Sequence, residues 1–260
     1  MMRWFDSGVN LTNSKLFRDV DAVLRRASEA GVEKMLVIGT NVAESRTAVQ
    51  LCEQYPQQLL ATVGVHPHDA AAAAPDFIEQ LAILAQHPSV VAIGECGLDF
   101  NRNYSPQPTQ LRVFEAQLAL AAELCLPVYL HERDAQPEQC ELLARYQSAI
   151  PKMLAHCFTG GKKELAPYLE LGCYIGITGW LCDERRGKEL QEAVLDIPLN
   201  RLLLETDAPF LAPRHVRPRI KQNEPCYLPA IGEFLAQLRQ QEVSQIAAQT
   251  WQNSVSFFAK

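Results

Sequence analysis

Short apolar runs alternate with longer runs of helical period along most of the chain. Nearly continuous apolar strands are typical of a sheet that is buried on both faces, and their alternation with helices indicates parallel pairing. The strand candidates are RWFDSG, KMLVIG, LLATVGVH, VVAIGE, PVYLH, KMLAHC, CYIGITG and RLLLETD. Eight strand–helix units in 260 residues predict an α/β fold of the (β/α)₈ TIM-barrel type.

Helix-period stretches separate the predicted strands, and two further helices follow the last one. The helix candidates are Asp19–Ala30, Ala43–Gln54, Phe77–Gln86, Thr109–Leu124 and Lys188–Leu195, with two more between Leu228 and Lys260 that should cover the outside of the barrel. We find no linker in the sequence and predict one domain over residues 1–260. A doubly wound open sheet is the alternative, but no glycine-rich phosphate loop follows the first strand.

Composition narrows the class of protein. No apolar run approaches the roughly 20 residues that cross a bilayer, and the start MMRWFDSG lacks the apolar core of a secretory signal, so we predict a cytoplasmic protein with no membrane partner. The eight cysteines form no Cys-x-x-Cys pair, which argues against a structural zinc knuckle. A net charge of −6 argues against bulk coating of nucleic acid but allows one locally positive cleft. We expect a monomer.

Residues that can bind a metal stand where several predicted strands end. Glu95 ends the fourth strand, His131 the fifth and His156 the sixth, while Asp207 follows the eighth. Active sites of such barrels lie at the carboxyl ends of the strands, so these four side chains should face one mouth. Each alone has an ordinary structural explanation, such as a hydrogen-bonded histidine or an aspartate capping a turn. Together, two imidazoles and two carboxylates favour a hydrolytic divalent-metal site.

Five motifs carry a family resemblance over nearly the whole chain. In order, GVHPHD, AIGECGLDF, PVYLHERDA, LAHCFTG and LLLETDAPFL resemble the TatD family of metal-dependent deoxyribonucleases. The resemblance implies a TIM barrel of the amidohydrolase type and phosphodiester hydrolysis assisted by Mg²⁺, with Mn²⁺ or Zn²⁺ as alternatives. It further implies a 3′-to-5′ exonuclease acting on single-stranded DNA or RNA, with a role in the repair of oxidative DNA damage.

The resemblance also implies roles for individual residues. Glu95, His131 and His156 match the family's metal ligands, and Asp207 matches its catalytic aspartate, which also binds metal. On this basis we expect catalysis to depend on Glu95 and Asp207, with Asp207 as the base that deprotonates the attacking water.

Candidate substrate-binding residues rest on weaker patterns. His66, Arg133, Arg217 and Arg219 are candidate phosphate contacts. His66 could instead complete the metal shell, and Arg133 could form a salt bridge with a neighbouring carboxylate. The two later arginines lie in PRHVRPRIKQNEP, which is either a phosphate track or a solvated basic loop. Trp180 could stack a base or pack against the barrel rim.

The first strand departs from the family pattern. Many members carry a His-x-His pair where this chain has Gly8 and Asn10. We therefore expect one firm metal at the predicted ligands and a second, weaker one held by oxygen ligands such as Glu95, Asp207 and either Asp6 or Asn10. Two other functions stay open: a metal-dependent amide, lactone or phosphotriester hydrolase on the same scaffold, and a non-catalytic barrel that binds nucleic acid or protein.

Overall fold

Eight strands form one sheet in which hydrogen-bonded neighbours follow chain order from β1 to β8, in a computed structural model that describes residues 2–259. The strands are β1 Trp4–Val9, β2 Val32–Val37, β3 Leu59–Val63, β4 Val90–Asp99, β5 Val128–Arg133, β6 Met153–Ala155, β7 Tyr174–Ile177 and β8 Leu202–Leu204. The pairs β1–β2, β3–β4, β4–β5, β5–β6 and β7–β8 are parallel. The predicted (β/α)₈ fold class is confirmed.

Helices follow most strands. They are α1 Ser14–Phe17, α2 Val20–Glu29, α3 Val42–Gln54, α4 Phe77–Ala85, α5 Gln107–Glu123, α6 Gln136–Tyr146, α7 Lys162–Glu170, α8 Lys188–Ala193, α9 Leu228–Arg239 and α10 Val243–Phe257. The predicted helices are present within a few residues of their expected bounds, whereas α1, α6 and α7 were not predicted. Within residues 2–259, no helix is both long enough and apolar enough to cross a bilayer.

Contacts between residues divide the described chain into two compact units. The first consists of Met1–Val37, Cys157–Ala166 and Ile175–Phe257, and the second of Ile38–His156, Pro167–Tyr174 and Phe258–Lys260. The first unit therefore contains β1, β2 and β8, and the second contains β3 to β6. The single domain over residues 1–260 stays a prediction.

In the first unit, the two C-terminal helices pack on β1. All six residues of β1 are buried, and the indole of Trp4 lies against Gly232 of α9, where a β-carbon would overlap the ring. The hydroxyls of Ser7 on β1 and Ser254 on α10 are hydrogen bonded at 2.8 Å. A buried serine pair of this kind satisfies two polar groups that would otherwise be costly inside the core. The predicted cover by the C-terminal helices is thus observed at β1.

In the second unit, β4 continues beyond its predicted end at Glu95 to Asp99. Two buried glutamine side chains accept hydrogen bonds from this extension. Gln139 of α6 accepts the Leu98 backbone N–H at 3.1 Å, and Gln110 of α5 accepts that of Asp99 at 2.8 Å. Because buried backbone N–H groups need acceptors, these amides allow an extended chain to continue past the apolar run.

Candidate metal centre

Three imidazole nitrogens converge on one carboxylate oxygen, Oε1 of Glu95. His131 Nδ1 lies 2.9 Å from it, His66 Nε2 3.4 Å and His156 Nε2 3.6 Å. The Glu95 backbone N–H donates to the Gly39 carbonyl at 2.8 Å, which fixes the chain where this side chain emerges. The structure thus brings together Glu95, His131 and His156, the three predicted ligands of the firm metal, and adds His66.

The carboxylate of Glu95 is buried, with 6% of the residue exposed. Burial by itself raises the pKa of this carboxyl, but the adjacent His66 and His156 and the hydrogen bond from His131 outweigh it and hold the pKa well below its usual value. Glu95 is therefore ionised at neutral pH. A buried carboxylate with several imidazole nitrogens around it is an environment that suits a metal cation.

His131 is hydrogen bonded or close to carboxylates at both ring nitrogens. Its Nδ1 is bonded to Glu95, and its Nε2 lies 3.5 Å from Asp99 Oδ2. Burial alone would lower the pKa of His131, but Asp99 and Glu95 raise it to about 9. The same contacts, with Arg102 N–H and His68, hold the pKa of Asp99 below its usual value despite the burial of its carboxyl. In the metal-free protein the His131 imidazole is thus protonated. Binding of a metal to this imidazole would release the proton.

His156 is oriented by Tyr129 of β5. The tyrosine hydroxyl is hydrogen bonded to His156 Nδ1 at 2.6 Å, and both side chains are buried. When Nδ1 donates in this bond, Nε2 keeps its lone pair, and Nε2 is the atom nearest Glu95. A hydrogen-bonded partner on the far nitrogen is the usual way in which a metal-binding histidine is held.

His66 and His68 extend this group along β4. The His68 ring is hydrogen bonded to Asp99 Oδ2 at 2.6 Å, and its backbone N–H donates to His66 Nδ1 at 3.1 Å. One ligand atom from each of His66, His68 and His131 lies within 4.8 Å of the others. Burial and the neighbouring His131 lower the pKa of His66, so its imidazole is neutral at neutral pH. The His66 imidazole therefore caps the short turn Pro67–Ala72, and the His68 ring contacts Asp99.

The residues present fit a divalent cation. His131 Nε2 is buried and makes no hydrogen bond within residues 2–259, which is uncommon for a buried polar atom. Imidazole nitrogens and ionised carboxylates lie within a few ångströms of each other. Such a mixed N and O donor set is compatible with Mg²⁺, Mn²⁺ or Zn²⁺ and does not select among them.

In the first unit, Asp207 follows β8 and is held by the segment after β1. The Asn10 side-chain amide donates to Asp207 Oδ1 at 2.9 Å, and the Asp207 backbone N–H donates to the Gly8 carbonyl at 2.9 Å. Asp207 has φ +51°, in the left-handed region, where non-glycine residues are uncommon. Gly8 through its carbonyl and Asn10 through its side-chain amide therefore position Asp207. The weaker second metal with Asn10 as an oxygen ligand stays a prediction.

Asp6 joins β1 to β8 rather than presenting an open carboxylate. Its Oδ1 accepts the backbone N–H of Thr206 at 2.8 Å and that of Gly8 at 3.3 Å, and its Oδ2 accepts the Thr206 hydroxyl. Asp6 is fully buried, and this burial raises its pKa to about 8. Both carboxylate oxygens of Asp6 accept hydrogen bonds between β1 and the segment after β8. This arrangement does not favour Asp6 as a ligand of the weaker second metal.

The predicted phosphate contacts lie on three different segments. His66 is next to Glu95, as above, and Arg133 ends β5, where its carbonyl accepts the Phe100 N–H at 2.8 Å. Arg217 and Arg219 are exposed in the segment after β8. On either side of Arg133, Glu132 accepts the Ala135 N–H and Asp134 accepts the Asn101 amide.

Several supporting residues were missed because their signal is weak in a sequence. Gln117 of α5 is fully buried and binds both the N–H and the C=O of Val65, at 2.7 and 3.0 Å, next to His66. Gln110 clamps the backbone at Asp99 in the same way. The available signal was a glutamine on the apolar face of a helix, a position where an amide needs two backbone partners.

Comparison with known proteins identifies relatives over the full length. A family model described as "TatD related DNase" matches residues 5–259. The protein named 3′-5′ ssDNA/RNA exonuclease TatD of Erwinia amylovora is 50% identical over 256 residues, 98% of this chain and 99% of that protein. The protein of the same name from Klebsiella pneumoniae is 51% identical over 98% of this chain and 97% of its own length.

Solved structures agree with the fold. The crystal structure of YJJV, a TatD homolog from Escherichia coli, superposes with a TM-score of 0.91 at 29% identity and covers 100% of this chain and 99% of that one. A TatD family hydrolase from Entamoeba histolytica, at 24% identity and a TM-score of 0.89, covers 99% of this chain and 98% of its own and supports the fold alone.

Proposed function

Because the chain belongs to the TatD related DNase family, we propose that it is a metal-dependent 3′-to-5′ exonuclease acting on single-stranded DNA and RNA. The relatives' names supply the substrate and polarity. The observation in this chain that supports the proposal is the convergence of three imidazoles on the buried Glu95 oxygen. Such a site serves hydrolysis of a phosphodiester that has no reactive leaving group of its own.

Glu95, His131 and His156 are the proposed metal ligands, with Asp207 as a further one, and Mg²⁺ is the proposed metal. The chemistry supplied by a divalent cation at these residues would be polarisation of a phosphoryl oxygen and a lower pKa of water at the site. Glu95 provides the charge that retains the cation, since its pKa lies well below neutrality. Asp99 Oδ2 lies 3.5 Å from His131 Nε2, and Tyr129 orients His156 through its hydrogen bond to Nδ1.

Asp207 is the proposed general base. Its carboxylate accepts the proton of the attacking water, and the Asn10 amide on Oδ1 fixes the orientation in which it does so. The assignment rests on the ETDAP motif and on the position of Asp207 after β8. The neutral His66 and the guanidinium of Arg133 are proposed contacts to the phosphate that is cleaved, and Arg217 and Arg219 are proposed contacts to the rest of the strand.

One experiment tests the function and separates the alternatives. Single strands labelled at the 5′ end are incubated with purified protein, with Mg²⁺ or with EDTA, and metal content is measured on the same preparation. A 3′-to-5′ exonuclease shortens the labelled strand one nucleotide at a time with Mg²⁺ and leaves it intact in EDTA. Bound metal without shortening would favour an amide, lactone or phosphotriester hydrolase, and neither metal nor shortening would favour a non-catalytic barrel.

Substitution of Asp207 tests its assigned role. Asp207→Asn keeps the size and the bond to Asn10 but removes the proton acceptor. With saturating Mg²⁺ we expect the cleavage rate to fall about 10²- to 10⁴-fold, the usual contribution of a general base. Full activity in this variant would show that another group takes the proton.

Three finer proposals concern the cell. We propose that the protein is a monomer in the cytoplasm and contributes to the repair of oxidative DNA damage. Within residues 2–259 the structure contains no disulfide bond, which suits a reducing compartment. Light scattering, cell fractionation and the peroxide sensitivity of a deletion strain, complemented with the wild type or with Asp207→Asn, test the three in turn. Rescue by Asp207→Asn would contradict a repair role that depends on the nuclease.

A further inference from the structure

Two loops of the first unit enclose a basic cavity that the metal centre does not use. We call the segment 178–187, after β7, loop 7, and the segment 207–224, after β8, loop 8. They surround a cavity of about 270 Å³, and an adjoining groove is lined by side chains from the same loops. The cations lining the two are Arg185, Arg186, Arg214, Arg217, Arg219 and Lys221. Two carboxylates of the described residues, Asp183 and Glu184, line them as well. The cations outnumber them, so this surface is positive in a chain whose net charge is −6.

The two loops fit closely together. A β-carbon at Gly179 of loop 7 would overlap the carbonyl oxygen of Leu211 in loop 8, so only glycine allows this approach. Within loop 8, the buried amide of Asn223 donates to the carbonyls of Thr206 and Phe210, at 2.9 and 2.6 Å. The walls of the cavity are therefore held by specific backbone contacts.

Asp183 is the side chain that orders the arginines. It is buried, with 2% of the residue exposed. It accepts the backbone N–H groups of Arg185 and Arg186, the Arg186 guanidinium at 2.9 Å and the Arg214 Nε at 3.1 Å. Burial opposes its charge, but these donors lower its pKa below the usual value, so the carboxylate stays ionised. One buried charge thus joins a guanidinium from each loop. The remaining cations also line the cavity or the groove, and one of them, Arg217, donates from Nη1 to the carbonyls of Arg214 and Val216.

Two aromatic rings in these loops have different environments. The Arg186 guanidinium lies 4.2 Å from the centre of the Trp180 ring, so this indole supports an arginine. Phe210 is 49% exposed although it is large and apolar. Its backbone N–H donates to the carbonyl of Asp207 at 3.0 Å, which places it one turn from the proposed catalytic residue. Its chain neighbours Pro209 and Leu211 line the cavity. An exposed ring and a basic groove on the same loop are the two elements that proteins combine to bind single strands.

We propose that loops 7 and 8 bind an unpaired nucleic-acid strand, with Arg217, Arg219 and Lys221 contacting its phosphodiesters and Phe210 stacking one of its bases. The inference takes the class of substrate from the proposed function and assigns it a binding site of its own. Stacking on Phe210 requires a base with a free face, which an unpaired strand offers and the interior of a duplex does not. Arginines with planar donor groups suit phosphate oxygens.

Binding in EDTA separates this site from the metal centre. Association of a labelled oligothymidylate is measured against salt concentration for the wild type, Arg217→Gln/Arg219→Gln and Arg219→Gln/Lys221→Gln. Each lost phosphate contact should reduce the slope of log affinity against log salt by about 0.7. Each double variant should therefore lose about 1.4 in slope. The control Arg25→Gln/Arg46→Gln, which removes the same charge from exposed positions on α2 and α3, should keep the wild-type slope.

Phe210→Ala should weaken oligothymidylate binding about tenfold and leave the salt slope unchanged, since stacking involves no charge. Wild-type slopes in both arginine variants, or wild-type affinity in Phe210→Ala, would overturn the proposal. Competition by thymidine monophosphate or inorganic phosphate at the same concentration as the oligonucleotide would instead identify a small-anion site and would also overturn it. Normal EDTA binding with no cleavage in Mg²⁺ would contradict the exonuclease and leave this site standing.

Discussion

At the scale of single residues, hydrogen bonding determines what each carboxylate in this protein can do. Glu95, Asp6 and Asp183 are all buried, yet their partners differ. Imidazoles surround Glu95, backbone and hydroxyl donors surround Asp6, and guanidinium groups surround Asp183. The pKa of Glu95 and that of Asp183 are lowered, whereas that of Asp6 is raised to about 8. Only the first environment, with imidazoles as further donors, suits a metal.

Asn10 gives a prediction at this scale. Asn10→Ala removes the donor to Asp207 Oδ1, which lies at 2.9 Å, and we expect the maximal cleavage rate to fall about 10- to 100-fold, as for other partners that orient a functional group. The KM for a single strand should stay unchanged, because Asn10 is not assigned to substrate. Steady-state kinetics with saturating Mg²⁺ measure both quantities.

Asn13→Ala is the matched control for that change. The Asn13 side chain accepts the Lys15 N–H at the start of α1, so its loss should leave the cleavage rate near the wild-type value. An Asn10→Ala enzyme as fast as Asn13→Ala would show that Asp207 needs no positioning.

At the scale of elements, buried glutamines on α5 connect the helix layer to the segments that carry the histidines. Gln117→Leu keeps the volume but leaves the N–H and C=O of Val65 without their partner. Each unsatisfied buried group costs about 1–3 kcal/mol, so we expect the free energy of unfolding to fall by at least about 2 kcal/mol. Urea denaturation in EDTA measures it. Gln50→Leu on the exposed face of α3 should change the free energy of unfolding little. An equal loss in both variants would show that the hydrogen bonds from Gln117 to Val65 do not stabilise the fold.

The junction of β1 with β8 predicts a pH dependence. The pKa of Asp6 is about 8 in the folded protein and 3.8 for an ordinary aspartate. The folded state therefore retains a proton that the unfolded chain releases. The stabilisation is complete below pH 3.8 and is lost as the pH rises through about 8.

Asp6→Asn should flatten this part of the stability profile, because an asparagine cannot ionise, while its oxygen can still accept from Thr206 N–H and its amide can donate to the Thr206 hydroxyl. Urea denaturation of both proteins between pH 5 and pH 8, in EDTA, checks the difference. Parallel profiles would show that Asp6 is ionised throughout this range.

Some elements of this fold can be predicted from the sequence and others cannot. The order of strands and most helices followed from apolar periodicity, which depends on local sequence. The extension of β4 to Asp99 did not, because it depends on Gln110 and Gln139, which are distant in sequence. The polar helices α6 and α7 were not predicted, because they carry little periodic signal. The proximity of Glu95, His131 and His156 was predicted from their positions at strand ends. The hydrogen bond from Asn10 to Asp207 was not predicted, because the two residues are distant in sequence.

At the scale of the whole molecule, a metal that binds only the folded chain must stabilise it. Metal-free protein carries the ionised Glu95 and a protonated His131, whose pKa is about 9, in one buried group. Mg²⁺ at 100 times its Kd should add about 2.7 kcal/mol to the free energy of unfolding. For a chain of this size that corresponds to a rise in Tm of about 5–10 °C. Calorimetry in EDTA and then in excess Mg²⁺ measures the rise.

His156→Ala removes one proposed ligand and should abolish most of the rise, whereas His87→Ala, at a histidine outside the centre that contacts Glu53, should retain it. The two variants lose the same side chain, so their difference isolates the metal centre from general effects of Mg²⁺ on a protein of net charge −6. A wild-type Tm that rises with Zn²⁺ but not with Mg²⁺ would contradict the proposed metal and retain the site. A Tm that responds equally in all three proteins would place the bound cation away from His156 and contradict the site itself.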